Sequence, residues 1–462
     1  MFEKISPIAL SLTFALSLGV GCKDKDGGSV NPDKELSTAK DAEVPDEQAK
    51  AQFAEVYAKY IKAKSDGSLS AGECDSIAKG FNEVYKSNKR SMLIARFNVG
   101  ALWEECGDMG KATKVYDELA SKGFHLALNN LGVIAWQAGD TKKALGLFKK
   151  SVAADKKQAF AARNNLAAAY RDRYADKVSQ SDFKEAEKQI QNVLAVDTSN
   201  KAAYENLARL YYDRGRLKDP SYLVLSNLVV TQALRVLEKE NAQSADIRNL
   251  QGLLFMQTDN QIDALKAFKM AVKIAPNHPD ANRNIGFIAV RFRDYASAEK
   301  AFDVAMKDAS VKRDVEVYLA MGVAKRGLKK FKQADEWYRK AMEIDKKDGR
   351  PWYNLGILNQ DHLIGQDDVD QVALEAYYNK AKEHYQKFLK MAEGDKKLAA
   401  AVKDSLDRIA IIDDAIQTFR VMEDLEKRAA EIAAQEKKAE QERIQKLLDL
   451  EKKAAAAGQA SE

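Results

Sequence analysis

Glycines return at a fixed interval in this chain. Gly252, Gly286, Gly322 and Gly356 are spaced by 34, 36 and 34 residues, and the first three are each followed twelve residues later by Ala264, Ala298 and Ala334. An aromatic stands four positions further on (Phe268, Phe302, Tyr338), and a small residue three beyond that (Ala271, Ala305, Ala341). Between these marks the apolar residues recur at helical spacing. Each copy therefore reads as two antiparallel helices. Glycine and the first alanine mark where the two helices come close, because a larger side chain would hold the backbones apart. The aromatic is expected to fill the gap toward the next copy. One helix pair cannot bury its apolar face alone, so the copies must stack.

Trp352, Leu355 and Gly356, the Ala-x3-aromatic steps and Pro276 together resemble the tetratricopeptide repeat (TPR). The resemblance implies an all-α superhelix, or solenoid, with a concave groove. Earlier copies have the same phase. Gly100 leads to Ala112 and Tyr116, Gly132 to Ala144 and Phe148, Ala167 to Ala186, and Ala208 to Ala233. About eight units start near residues 93, 125, 160, 201, 245, 279, 315 and 349, so the repeats span 93–395. At 462 residues the chain is too long for one ordinary core, a limit that a solenoid escapes because each repeat packs only on its neighbours. The net charge of +5 is small and both signs are mixed throughout, which argues against a nucleic-acid partner.

Before the repeats, Lys4 precedes an uncharged apolar run from Ile5 to Val20 that is short for a bilayer span. Gly19-Val20-Gly21-Cys22 resembles a bacterial lipobox, although Leu18 lies one residue earlier than usual. The resemblance implies a signal peptide over 1–21 and an acylated, for example palmitoylated, Cys22; an ordinary secretory signal is the alternative. Lys23 after the cysteine favours the outer membrane, with the protein facing the periplasm. Residues 22–46 are polar, with Gly, Pro and mixed charge, and read as a disordered tether. Residues 47–92 read as an N-terminal helical cap.

After the repeats, residues 396–425 carry Val402, Leu406, Ile409, Ile412, Ile416, Phe419 and Met422 at spacings of three and four. This is one helix face, suited to closing the open end of the stack. Residues 426–462 turn to Ala, Glu, Lys and Gln, a composition that favours an exposed helix. A sustained coiled-coil stripe is missing, which argues against a strong coiled coil. Three units carry extra residues between their helices, starting at Arg171, Asp213 and Asp361. These are either projecting loops or lengthened helices.

Cys74 and Cys106 are the two remaining cysteines. Cys74 opens one predicted helix and Cys106 ends the next. If the helices are antiparallel neighbours the two meet at one edge, and an exported protein would join them in a disulfide. Two buried free thiols are the alternative. His125, His278, His362 and His384 are scattered, with no metal-ligand spacing. Neither a phosphate-binding glycine loop nor a Gly-x-Ser-x-Gly motif is present, so the expectation is a non-enzyme without cofactor or metal.

The groove is where a partner is expected. Aligning the units puts Asn98, Asn130, Asn165, Asn206, Asn284 and Asn354 at position 6 of the first helix. This resembles the asparagine ladder of O-GlcNAc transferase solenoids, which implies a grip on an extended peptide. A primary amide offers a donor and an acceptor to a peptide main chain whatever its side chains. Position 5 adds Phe97, Asn129, Asn164, Asn249, Arg283 and Tyr353, and position 12 adds Trp136, Arg171 and Tyr212. The alternative is that the asparagines bond between neighbouring helices. The Lys-plus-Asn pattern of chaperone carboxylate clamps is absent. Lipobox, tether, repeats and charged tail together resemble TPR lipoproteins of the myxobacterial gliding-motility apparatus. That implies a lipid-anchored scaffold for other envelope proteins. The alternative is an assembly factor for outer-membrane barrels or type IV pilus secretins.

Overall fold

A computed structural model describes residues 47–65, 67–88, 92–362 and 371–459. The proposed signal peptide, Cys22 and the tether lie outside the described residues. Nineteen α-helices and no strand occur among the described residues. The chain divides into two compact units, one ending at Pro276 and the other beginning at Asn277.

The first unit begins with α1 (Glu47–Ser65) and α2 (Ala71–Ser87). Ser70 and Glu73 form a reciprocal capping box at the start of α2. Five helix pairs follow: α3 (Leu93–Glu105) with α4 (Met109–Ser121), α5 (His125–Gln137) with α6 (Thr141–Ala154), α7 (Phe160–Lys177) with α8 (Gln180–Leu194), α9 (Lys201–Leu217) with α10 (Ser221–Lys239), and α11 (Ala245–Gln257) with α12 (Gln261–Ile274). Within each pair the first helix is called A and the second B. The B helices α4, α6, α8 and α10 each also pack against the next A helix, and α5, α7, α9 and α11 lie side by side.

The second unit holds three pairs: α13 (Pro279–Arg291) with α14 (Tyr295–Ala305), α15 (Val315–Gly327) with α16 (Phe331–Ile344), and α17 (Arg350–Ile357) with α18 (Gln371–Met391). It ends in α19 (Ala399–Gln459), a single helix of 61 residues. Residues 399–425 and 426–459, read in the sequence as parts of two segments, thus share one unbroken helix. Its Ala, Glu, Lys and Gln content gives it no place to stop. Ile412 and Ile416 bury against Ala381 and Tyr385 of α18, while Leu406 and Met422 are exposed, so the docked face is narrower than the apolar spacing suggests.

The periodic glycine has a steric explanation that differs in part from expectation. A Cβ on Gly100 or Gly132 would sit 2.5 Å from a ring carbon of Tyr116 or Phe148. Gly252, Gly286, Gly322 and Gly356 face Phe268, Phe302, Tyr338 and Tyr385 in the same way. The aromatic therefore lies over the glycine of its own pair instead of only bridging to the next copy. Where the glycine becomes Ala167 or Ala208, the B helix carries Ile190 or Leu237, and each combination is buried in one cluster. A smaller side chain makes room for the extra methyl.

The A–B turn repeats as well. Gly107, Gly139, Asp259, Arg293 and Lys329 all adopt positive φ just before the next helix. The following N–H reaches back across the turn, as in Asp108 to the Trp103 carbonyl at 2.8 Å and Asp294 to that of Ala289 at 2.8 Å. Asp108, Asp140, Asn260 and Asp294 then cap the B helices with their side chains. The extra residues at Arg171 and Asp213 lengthen helices: α7, α9 and α10 have 18, 17 and 19 residues, against 13 in α3 and α5. The third insertion begins within a π-helical turn, Leu358–His362, and residues 363–370 lie outside the described residues.

Candidate functional site

In the first unit the asparagines lock neighbouring A helices together. Asn165 on α7 donates its amide to Asn129 Oδ1 on α5 at 2.9 Å, and Asn129 donates to Asn130 Oδ1 at 3.3 Å. Asn206 on α9 donates to the Asn164 carbonyl on α7 at 3.1 Å. Asn164 in turn donates to Asn200 Oδ1 at 3.0 Å; that oxygen also caps α9 by accepting from Ala203 N–H. Asn98, Asn129, Asn130, Asn164, Asn206 and Asn249 are all buried, whereas Asn165 and Asn284 are half-buried. Much of the amide row thus holds helices together. Asn98 is the exception in bonding, with neither side-chain atom paired.

Beside this row lies a cavity of about 320 Å³. It opens where the N-terminal ends of α5, α7 and α9 meet. Leu126, Phe160 and Ala202 contribute apolar wall, and Asn129, Asn164 and Lys201 contribute polar groups. Two of these helices, α5 and α7, start on Phe124 and Ala159, which make no side-chain cap. His125, also in the wall, lies 3.8 Å from Asp155 Oδ2, and burial pulls its imidazole below the usual range, favouring the neutral form.

A row of charges crosses the same A helices. Buried Arg171 on α7 lies 3.5 Å from Asp172 and 3.8 Å from Asp213 of α9. Arg209 of α9 pairs with Asp246 of α11. Glu205 accepts from Ser244 Oγ at 2.6 Å, and burial next to Asp246 raises its carboxyl. Burial pushes the Asp172 carboxyl up to about 7, against the pull of Arg171. Sequence reasoning singled out Arg171 alone. The signal for the rest was the i, i+4, i+8 spacing of Glu205, Arg209 and Asp213 on one helix.

The other sequence-predicted residues are divided among structural tasks. Trp136 packs half-buried beside the core of its unit. Tyr212 accepts from Gln257 Nε2 of α11 at 3.2 Å. In the second unit Arg283 pairs with Asp314 at 3.2 Å, and Asn354 donates to the Arg350 carbonyl one turn back in its own helix at 3.0 Å. Tyr353 departs furthest from a groove position. Its hydroxyl donates to Asp404 of α19 at 2.8 Å, and its ring packs on Tyr385 and Phe388. The long helix occupies that surface, so Tyr353 anchors it instead of meeting a partner. Arg408 completes the anchor by pairing with Asp361 at 3.0 Å and Gln360 at 2.9 Å. Cys74 and Cys106 form a disulfide with Cα atoms 6.5 Å apart. His278 is an N-cap, its Nδ1 accepting from Ala281 N–H at 3.1 Å. No cluster of His, Cys, Asp or Glu suited to a metal ion occurs among the described residues.

The tetratricopeptide repeat family matches residues 107–159, 175–219 and 315–348. The chain carries tetratricopeptide repeats. Its fold is accordingly all-α and of the TPR solenoid class, with a long C-terminal helix. TPR arrays are protein-interaction scaffolds. No curated protein matches the sequence. Among solved structures, PilF of Pseudomonas aeruginosa is similar at 16% identity, covering 48% of this chain and 93% of that one, with a TM-score of 0.38. A TPR protein of Thermus thermophilus is similar at 18% identity, with 43% and 98% covered and a TM-score of 0.36. PilW, described as a widely conserved type IV pilus biogenesis factor, gives 15% identity, 51% and 98% coverage and a TM-score of 0.38. At such scores these likenesses carry no argument about partner or function.

Proposed function

We propose that this chain is a lipid-anchored periplasmic TPR scaffold that holds an extended segment of a partner envelope protein along the A helices of its first unit. The observation that supports it is the cavity bordered by Asn129 and Asn164. At about 320 Å³ it has the size of a small ligand pocket and room for a bulky side chain. Neighbouring helices take up much of the amide row beside it, and the half-buried Asn165 is its most accessible group for a peptide main chain. The lipid anchor rests on the apolar run ending at Cys22, and the tether would keep the repeats near the membrane without lying on it.

Filling the cavity tests the binding face. Ala161 and Ala202 both line it and are half-buried at helix starts. Ala202→Trp should leave the circular dichroism of the protein unchanged and abolish its crosslinked partners in membranes. A folded variant that keeps every partner would remove this face from consideration. The identity of the captured proteins separates a motility complex from barrel or secretin assembly. Cys22→Ala should leave an uncleaved or soluble protein. Normal outer-membrane fractionation of that variant would refute lipid anchoring.

A further inference from the structure

The exposed half of α19 is not used by the fold. Every residue from Val421 to Lys453 is exposed, including Leu425, Ile432, Leu447 and Leu450, each more than half accessible at 56–63%. At about 100° per residue, a single narrow stripe collects Leu425, Ala429, Ile432, Glu436, Ala439, Arg443, Leu447 and Leu450. The stripe runs along roughly 40 Å of helix. Only Glu436 and Arg443 interrupt an otherwise apolar seam of Leu, Ile and Ala. In a parallel pair in register they would set Glu against Glu and Arg against Arg, which is why this sequence makes a poor parallel coiled coil.

The same two residues specify the opposite arrangement. When the helix is laid antiparallel on a copy of itself, with the two-fold axis between Ala439 and Glu440, each Glu436 faces Arg443 of the other copy. Ile432 then faces Leu447 and Ala429 faces Leu450, so a small residue stands opposite a large one in the outer layer. From Ala429 to Leu450 the stripe is complementary in charge and in size to its own reverse, with Ala439 meeting Glu440 at the axis. We infer that residues 429–450 of α19 form an antiparallel two-helix contact with the same segment of a second copy of this chain. Two opposite-charge contacts select the register and penalise the parallel alternative. The seam is isologous, so a single surface closes the dimer.

Sedimentation velocity of the full chain in detergent, over a wide range of protein concentration, tests this. The wild-type chain should dimerise with concentration. Glu436→Arg places two like-charge contacts in the seam, and Arg443→Glu does the same. Each should weaken dimerisation by at least about tenfold. Both positions are exposed, so folding should be unaffected. The double variant Glu436→Arg/Arg443→Glu should dimerise again. A mixture of the two single variants should form the heterodimer, because one chain then presents only arginine at the two positions and the other only glutamate. The inference is overturned if the wild-type chain stays monomeric at all concentrations, if either single variant dimerises like wild type, or if the reversal and the mixture fail to restore the dimer.

Discussion

Gly132→Ala adds one methyl group where the structure leaves no room. The new Cβ would lie 2.5 Å from Cε1 and 2.7 Å from Cδ1 of Phe148. Carbon atoms rest at about 3.5–4.0 Å, so the ring must retreat by roughly 1 Å. Phe148 is only 2% exposed and is enclosed by a cluster that includes Val133, Leu145 and Ala167. Overpacking of this kind costs about 1–3 kcal/mol. Alanine recovers about 1 kcal/mol through its better helix propensity. The net expectation is a loss of about 1 kcal/mol, within a range of about 0–2 kcal/mol. Phe148→Ile alone leaves a void and should also cost about 1–2 kcal/mol. The double variant copies the Ala167–Ile190 combination already present in the next pair, so its loss should fall short of the sum by about 1 kcal/mol or more. Urea unfolding followed by circular dichroism would read this from the midpoints, which remain comparable where a repeat array is not two-state. A raised midpoint for Gly132→Ala would refute the steric argument, as would strictly additive losses in the double variant.

Three further outcomes are expected. Protein isolated without reductant should show no free thiol at Cys74 or Cys106 by mass spectrometry, and Cys74→Ser should cost about 3–4 kcal/mol in the chain-entropy picture. Arg293→Gly should stabilise the second unit by about 1 kcal/mol, because a left-handed backbone penalises a Cβ; an unchanged melting temperature would count against it. The carboxyl of Asp172 is raised in the folded state, so the proton binds more tightly there than in the unfolded chain. Its contribution to stability is full below about pH 4 and is lost as pH rises through about 7. Asp172→Asn should remove that loss, so the variant gains on wild type between those pH values in parallel urea titrations.

Legibility followed the range of the interaction. The glycine, alanine and aromatic marks lie twelve and sixteen residues apart within one helix pair, so a local steric rule leaves a periodic trace in the sequence. The Cys74–Cys106 pairing was within reach for the same reason, since it links consecutive helices. The asparagine row was equally visible, yet its bonding was not. Whether Asn165 meets a peptide or Asn129 depends on how closely α7 approaches α5, and one residue type serves both outcomes. Tyr353 shows the limit more sharply. Its place in the repeat suggested a groove, and its partner Asp404 stands fifty-one residues away on a helix outside the repeat pattern. The third insertion left its mark too, because Gly356 finds its aromatic only at Tyr385, beyond the extra residues.

The amino-acid sequence by itself determined the all-α class and the eight helix pairs. Each follows from helical periodicity and from sterics between residues in the same or adjacent helices. Only the tertiary structure decided which asparagines are consumed by neighbouring helices, that the extra residues at Arg171 and Asp213 lengthen helices, and that α19 docks through Arg408 and Tyr353 before continuing exposed. It also decided where a cavity of about 320 Å³ is left open. Those outcomes depend on side chains brought together from different helix pairs, and the distance between two such groups is set by the packing of all the residues that lie between them.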